Sequence, residues 1–310
     1  SITGGGAFTV VDGAVQKYSG VVTVDSLDIK DATTSVTLDG DVTTKTTLDI
    51  NSGGTLTQNA KVDVGTSVNY DAGQTIDINN TIKSGEKIDI DATGKTTIAA
   101  AGDITASGAV TFGANKSGTL TTSGDIDTSN DNVTFTRAVT LGGAVDIDTG
   151  SGAGNILFKS TVATGDKNLT LDAGAAGNIT ADKSITGGGA FTVVDGAVQL
   201  YSGAITVDTL DIQDATTSVT LDGDVTTETT LDINTLTGKL IQNAKVDAGT
   251  SVDYDAGGVL TINEVIDAKT TVDIDATGVT TIAAAGDITA SGAVTFGANK
   301  SGTLTTSGCL

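Results

Sequence analysis

The sequence lacks proline, histidine, methionine and tryptophan, and it contains a single cysteine, Cys309. Without histidine there is no imidazole base, and one thiol alone cannot build a Cys/His zinc cluster. Internal disulfides and the commonest nucleophilic and zinc chemistries are therefore excluded. The sequence leaves open whether Cys309 is simply exposed, crosslinks two chains or serves as an attachment point.

Basic and aromatic residues are also scarce. The 310 residues include 16 Lys and Arg against 38 Asp and Glu, which gives a formal net charge of −22 at pH 7, and Arg137 is the only arginine. A surface of that sign repels phosphate, so we expect no nucleic acid partner. Aromatic residues make up 3% of the chain, so the core must be built from small aliphatic side chains.

Long apolar runs are absent as well. None approaches the roughly 20 residues that a membrane-spanning helix needs, so we predict no membrane insertion. No signal peptide is recognised, because the chain opens within its own repeat pattern at Ser1, without Met. We expect the chain to be a processed product or a segment of something longer.

A long internal repeat is the clearest feature that the sequence does contain. Residues 1–20 return at 184–203 with one difference in twenty, which sets a long period of 183 residues. Residues 103–124 return unchanged at 287–308. Repeats of this kind are typical of solenoids and other stacked architectures.

A shorter period lies inside the long one. Glycine or another small residue marks a turn every 18 to 22 residues, which is the spacing of a solenoid. We predict a single continuous β-solenoid over residues 1–310. The first long repeat, 1–183, would hold nine coils, and the second, incomplete repeat, 184–310, would hold six.

Within each short unit, apolar and polar residues alternate, which predicts strands with the apolar members on one face. The clearest apolar pairs are Phe8/Val10, Leu27/Ile29, Leu48/Ile50, Val68/Tyr70, Ile88/Ile90, Val110/Phe112 and Val133/Phe135. A shorter run before each pair and another after it complete three short strands per coil. The predicted fold class is therefore all-β, a parallel β-helix of about 15 coils with about 20 residues each.

Two stretches resemble a known family. Residues 132–162, NVTFTRAVTLGGAVDIDTGSGAGNILFKSTV, and 167–189, KNLTLDAGAAGNITADKSITGGG, look like the β-strand repeats of very large bacterial surface proteins of the filamentous-haemagglutinin type. The resemblance implies a right-handed β-helix that lies outside the cell or at its surface. It also implies a role as a fibrous stalk or as an adhesin.

Aspartates cluster in short motifs that offer the oxygen ligands preferred by calcium. The candidates lie in DIDATG and VDIDTG and are Asp89, Asp91, Asp146, Asp148, Asp273 and Asp275. Related LDGD motifs occur at 38–41 and 221–224. The alternative is that these aspartates are turn residues or face water between two inward residues. Because the calcium-binding nonapeptide pattern GGxGxD is missing, we predict no cofactor and keep calcium as an alternative.

Polysaccharide-cleaving enzymes use similar architectures, with carboxylates as acid, base or nucleophile. Here the sequence has no Trp, no His and no long insertion to wall a cleft. We therefore predict that the chain is not an enzyme and has no catalytic residues.

The sequence as a whole predicts a structural, extracellular fibre or stalk module. We expect homo-oligomers or filaments formed by axial stacking, because a strand edge without a partner invites the next chain. The alternatives are an adhesin segment that binds a glycan or another cell, and a calcium-stabilised component of a surface layer or sheath.

Overall fold

The computed structural model describes residues 1–307 and is all-β. It forms a parallel β-solenoid of about 15 coils with roughly 20 residues per coil, which confirms the predicted fold class. The chain divides into two compact units, Ser1–Gly150 and Ser151–Leu310. The boundary predicted between the long repeats, at 183/184, falls within the second unit. Cys309, whose role the sequence left open, lies outside the described residues.

The strands of the first unit are short, and one of them serves two rows of the solenoid. They are β1 (Ile2–Thr3), β2 (Ala7–Val10), β3 (Gly13–Tyr18), β4 (Val22–Val24), β5 (Ser26–Leu38), β6 (Val42–Thr44), β7 (Thr47–Ser52), β8 (Thr55–Gln58), β9 (Val62–Val64), β10 (Ser67–Ala72), β11 (Ile76–Ile78), β12 (Ile82–Ser84), β13 (Ile88–Ala92), β14 (Lys95–Ile98), β15 (Ile104–Ala106), β16 (Val110–Phe112), β17 (Thr119–Thr122), β18 (Ile126–Thr128), β19 (Val133–Phe135), β20 (Val139–Leu141) and β21 (Val145–Asp148).

The second unit is built in the same way. Its strands are β22 (Ile156–Phe158), β23 (Val162–Gly165), β24 (Leu169–Asp172), β25 (Ile179–Ala181), β26 (Ile185–Gly187), β27 (Ala190–Asp195), β28 (Val198–Tyr201), β29 (Ile205–Val207), β30 (Thr209–Ile212), β31 (Ser218–Leu221), β32 (Val225–Thr227), β33 (Leu231–Thr235), β34 (Lys239–Gln242), β35 (Val246–Ala248), β36 (Ser251–Ala256), β37 (Leu260–Ile262), β38 (Ile266–Ala268), β39 (Thr271–Ala276), β40 (Val279–Ile282), β41 (Ile288–Ala290), β42 (Val294–Phe296) and β43 (Thr303–Thr306).

Within each unit, strands pair in parallel with the equivalent strand one coil earlier and one coil later. In the first unit, Val22 of β4 pairs with Ile2 of β1 and with Val42 of β6. In the second unit, Leu231 of β33 pairs with Leu210 of β30 and Val252 of β36. Because side chains alternate along a strand, this register places apolar residues on apolar residues from coil to coil.

The core of each unit is a column of stacked inward side chains. It consists mainly of Val, Ile and Leu, most of them fully buried. In the first unit the rings of Phe112 and Phe135 lie parallel, with centroids 5.1 Å apart. Glutamine also enters the core, which the sequence did not predict. The buried Gln58 donates from Nε2 to the carbonyls of Ala60, at 2.9 Å, and Asn80, at 3.0 Å, so its amide is satisfied.

Polar side chains at the corners join one coil to the next. Asn59 donates from Nδ2 to Asp39 Oδ1 at 2.8 Å, and Asn79 donates from Nδ2 to Asn59 Oδ1 at 2.9 Å. The second unit repeats this ladder with Asp222, Asn243 and Asn263. Residues 1–307 contain no helix with the length and apolar character needed to cross a membrane.

Candidate functional site

The most deeply buried charges in the first unit belong to Asp91 in β13 and Arg137, which lies between β19 and β20. Their side chains are 3% and 1% exposed, and 3.4 Å separates Arg137 Nη2 from Asp91 Oδ1. Arg137 Nη1 also donates to Thr96 Oγ1 at 3.1 Å. Burial lowers the pKa of Arg137, whereas the nearby charges of Asp91 and Asp89 raise it. An arginine stays protonated in such a place, so the pair is ionic.

The connection over residues 113–118 covers this pair. Asn115 donates to Asp91 Oδ2 from its backbone nitrogen, at 3.1 Å, and from Nδ2, at 2.9 Å. Lys116 forms an ion pair with Asp71 through Nζ. Asp91 is therefore held on one side by the loop and on the other by Arg137.

Gly113 at the start of this loop is required for two reasons. Its φ of +83° lies in the left-handed region, and a Cβ at this position would collide with Arg137 Nε. A residue with a side chain would be strained and would push the guanidinium away from its partner.

The second unit repeats the sequence of this loop at residues 297–302. Asn299 donates from its backbone nitrogen to Asp275 Oδ2 at 3.0 Å, and Lys300 pairs with Asp255. Asp275 is 3% exposed, and its Oδ1 has no hydrogen-bond partner among residues 1–307. In both copies the loop backbone therefore donates a hydrogen bond to the equivalent aspartate.

A ladder of four aspartates is the second polar feature of this unit. Asp211, Asp232, Asp253 and Asp273 stand in register on consecutive strands, β30, β33, β36 and β39. Burial, followed by the charges of Asp232 and Asp273, raises the pKa of Asp253 to about 6. Neighbouring strands are about 4.8 Å apart, so adjacent carboxylates repel one another.

The corresponding row of the first unit is interrupted. Asp28, Asp49, Asn69 and Asp89 stand in register there, so an amide replaces one carboxylate. Asn69 donates from Nδ2 to Asp49 Oδ1 at 2.9 Å. Repulsion at this point is replaced by a hydrogen bond, so the two copies differ in how much proton binding would stabilise them.

The six candidate calcium ligands lie in these two arrangements and in β21. Asp89 and Asp91 lie together in β13, and Asp273 and Asp275 lie together in β39. In the first pair, Asp91 is already engaged by Arg137 and Asn115. Among residues 1–307, no group of three or more His, Cys, Asp or Glu side chains is placed to hold a metal ion. The absence of a cofactor stays a prediction, with calcium as the alternative.

The remaining two candidates, Asp146 and Asp148, lie on the last strand of the first unit. Asp148 Oδ1 accepts a hydrogen bond from the backbone of Gly150 at 2.6 Å, and the backbone of Asp146 donates to Asp125 Oδ1 at 2.8 Å. Burial, followed by the charge of Asp148, raises the pKa of Asp127. Asp148 therefore stabilises a turn, and Asp125 joins one coil to the next.

The LDGD motifs also have a structural use. Asp41 Oδ1 accepts from the backbone nitrogen of Lys61 at 3.1 Å, and Asp224 Oδ1 accepts from that of Lys245 at 3.1 Å.

The sequence did not predict that Arg137 would form a buried ion pair. Two features of the sequence could have indicated it: Arg137 is the single arginine, and it is followed by a strand with inward apolar residues.

Comparisons with known proteins give no relative for this chain. No family model, no curated protein and no solved structure matches it. The fold therefore stands on the structure alone.

Proposed function

We propose that this chain is a structural, non-catalytic module of a fibre or stalk that works outside the cell or at the cell surface. The observation that carries this proposal is the regularity of the stacking. In each unit the rows of strands continue from coil to coil, and within residues 1–307 no connection between two strands of the same unit is longer than six residues. Such a chain has backbone hydrogen bonds along its coils, each worth about 1 kcal/mol net, and little material for a cleft.

The proposed parent is a repetitive bacterial surface protein of the filamentous-haemagglutinin type. Support comes from the sequence resemblance of residues 132–162 and 167–189 together with the parallel β-solenoid fold. Labelled antibodies raised against this chain provide the test. We expect them to decorate fibres outside intact cells in electron micrographs, and labelling only after the cells are broken open would contradict the proposal.

We further propose that copies associate along the coil axis. Backbone groups at a coil edge are of the same kind as those that pair within each unit, and a strand edge accepts a further strand. The net charge of −22 disfavours side-by-side contact. Sedimentation velocity over a range of concentrations should show particles that grow with concentration, and electron micrographs should show that their width stays constant. A strict monomer at high concentration would contradict the proposed axial association.

The absence of catalysis is tested directly. The chain is incubated with pectin, alginate and similar polymers while new reducing ends and unsaturated ends are followed. We expect none to form above a heat-treated control, and their release would contradict the structural role.

A glycan-binding adhesin is the second candidate, and one observation favours it. A surface depression of about 400 Å³ crosses β7, β10 and β13 and is lined by polar side chains, including Asp49, Asn69, Lys87 and Asn115. Large apolar residues exposed elsewhere in residues 1–307 are all aliphatic, so a stacking surface for sugar rings is lacking there. Glycan-array binding by the 310-residue chain, lost in Asn69→Ala, would favour this candidate.

A further inference from the structure

The two long repeats of this chain differ on one sheet face. In the second unit this face is formed by β28, β31, β34, β37 and β40, which pair in that order, and the equivalent strands of the first repeat are β3, β5, β8, β11 and β14. Its middle row of outward side chains in the first unit is Lys17, Thr37, Thr57, Asp77 and Thr97. The same row in the second unit is Leu200, Thr220, Ile241, Thr261 and Thr281. The second unit therefore carries no charge in this row, whereas the first carries two.

An adjacent row differs in the same direction. Thr75 and Lys95 of the first unit correspond to Val259 and Val279 of the second. Val259 and Val279 are 45% and 41% exposed, and Leu236, in a turn that is one residue longer in the second copy, is 61% exposed. We define the aliphatic face as the solvent-accessible Val, Leu and Ile side chains of these strands and turns, which are Val198, Leu200, Leu236, Ile241, Val259 and Val279.

The aliphatic face differs in charge from the rest of the chain. The outward positions of its five strands, all within residues 1–307, hold no Asp or Glu, and Lys239 is the one charged residue among them. The chain as a whole has a net charge of −22, so repulsion opposes contact through its acidic faces but not contact through this one. Exposed aliphatic side chains gathered on one face mark an interaction surface.

Asp222 lies at the rim of the aliphatic face, next to the middle row. In the first unit the equivalent residue, Asp39, pairs through Oδ2 with Lys17 Nζ at 3.0 Å. Leu200 stands in the place of Lys17 in the second unit. Asp222 accepts a hydrogen bond from Asn243, but among residues 1–307 it has no ion pair. The rim therefore carries a carboxylate that has no cationic partner in this part of the chain.

Lys239 carries the complementary charge. It is exposed and, like Asp222, forms no ion pair with another described residue. Lys239 lies four residues before Asn243, the hydrogen-bond partner of Asp222, which places the two charged residues about 13 Å apart along the strand direction. The two charges therefore stay apart within one chain, and a partner with the same face would bring each of them a counter-ion.

We propose that the aliphatic face is a contact surface between two copies of this chain, which lie side by side with this face of one copy against the same face of the other. In a two-fold pair the contacts are reciprocal, so Lys239 of each copy lies against Asp222 of the other. A second copy also has side-chain rows at the same strand spacing of about 4.8 Å, so the rows of the two faces match along the coils.

The size of the aliphatic face sets the strength of this contact. Four strand spacings give it a length of about 20 Å, which is shorter than a standard protein interface. The association is therefore weak for two free chains and is favoured where copies are held close together. It is lateral and does not rest on the fibre role proposed above.

The test traps the side-by-side pair in the 310-residue protein. A cysteine is placed on the face by Thr261→Cys, in a chain that also carries Cys309→Ser, and a short bismaleimide crosslinks copies whose thiols are close. Thr226→Cys, at an exposed position of β32, is the matched control on another row. We expect the Thr261→Cys chain to form crosslinked dimers about tenfold faster than the control at up to about 1 mM protein. Equal rates for the two cysteines would overturn the proposal.

Face variants in the Thr261→Cys chain test the contact itself. Leu200→Lys and Ile241→Thr restore residues that the first repeat carries in the equivalent coils, and Leu200→Lys should slow crosslinking about tenfold because it sets like charges against each other. Thr226→Lys adds the same charge on another row and should leave the rate unchanged. No effect of Leu200→Lys would overturn the proposal, and if that variant does not fold, Ile241→Thr decides in its place.

The charge pair across the contact is tested by a double-mutant cycle. Lys239→Gln and Asp222→Asn should each slow crosslinking of the Thr261→Cys chain, and the two together should slow it by less than the product of their separate effects. Independent effects would overturn the pairing of Lys239 with Asp222. Because a thiol on the aliphatic face does not register end-to-end contacts, failure here leaves the proposed axial association standing.

Discussion

Arg137 and Asp91 are 46 residues apart in the chain, and their side chains meet as an ion pair that is at most 3% exposed. Asn115, Lys116 and Gly113 of the loop complete the arrangement. The contact between these coils therefore depends on three separate segments of the chain. Charges taken out of water are costly unless they remain paired. The pair therefore holds the loop over residues 113–118 on its coil.

The first prediction separates this pair from its surroundings. Asp91→Asn and Arg137→Gln should each lower the free energy of unfolding of the first unit by about 3 kcal/mol, because each leaves a buried charge unpaired. The double variant should cost less than the sum of the two. Urea unfolding followed by circular dichroism measures all three, and strictly additive losses would show that the two residues do not interact.

The second prediction concerns the stacked rings of Phe112 and Phe135 in the core of the first unit. Phe135→Ala should lower the free energy of unfolding by about 3 to 5 kcal/mol, since it leaves a cavity between two coils. Thr140→Ala, at an exposed position of β20, is the control and should change it by less than about 0.5 kcal/mol. Similar losses for both variants in the same urea experiment would argue against a core position for Phe135.

The third prediction is a pH dependence set by Asp253. Its pKa is raised to about 6 in the folded chain, whereas an unfolded aspartate has a pKa of about 3.9. The folded state therefore binds the proton first, and stability should rise as the pH falls from 8 toward 4. The groups facing Asp253 include Asp232 and Asp273 on neighbouring strands, and the raised pKa values of both act in the same direction.

Asp253→Asn is the matched variant, because the first copy carries Asn69 at this position. It should raise stability at pH 8 and reduce the gain on acidification. Carboxyl NMR shifts followed from pH 8 to pH 3 give the pKa directly. The opposite slope, with stability falling from pH 8 to pH 5 because of Asp253, would refute the assignment.

The fourth prediction concerns calcium. We expect no saturable binding by isothermal titration calorimetry with calcium, measured on protein first treated with chelator, since Asp91 is already paired with Arg137. Asp273→Asn and Asp89→Asn are the informative variants. A stoichiometric heat that disappears in either variant would restore the calcium-stabilised alternative.

Much of the fold could be predicted from the local pattern of apolar and polar side chains. Alternation around pairs such as Leu48/Ile50 predicted strands, and recurrence about every 20 residues predicted coils, because stacked coils place like residues on like. The burial of Arg137 and Gln58 did not follow, since both residue types are usually exposed. Their partners come from other coils, and a single segment of sequence does not reveal them.

The sequence by itself determined the strands, the coil length and the aliphatic column, because these depend on a period of two and on repeats only about 20 residues long. Tertiary structure alone decided which strand stacks on which in the second unit. There, Leu169 pairs with Phe191, while Ile185 pairs with Val162 and Ile205. Similar strands can pair in several registers, so the choice depends on how the corners pack in three dimensions. It also decided that Asp91 meets Arg137, which lies 46 residues further along the chain.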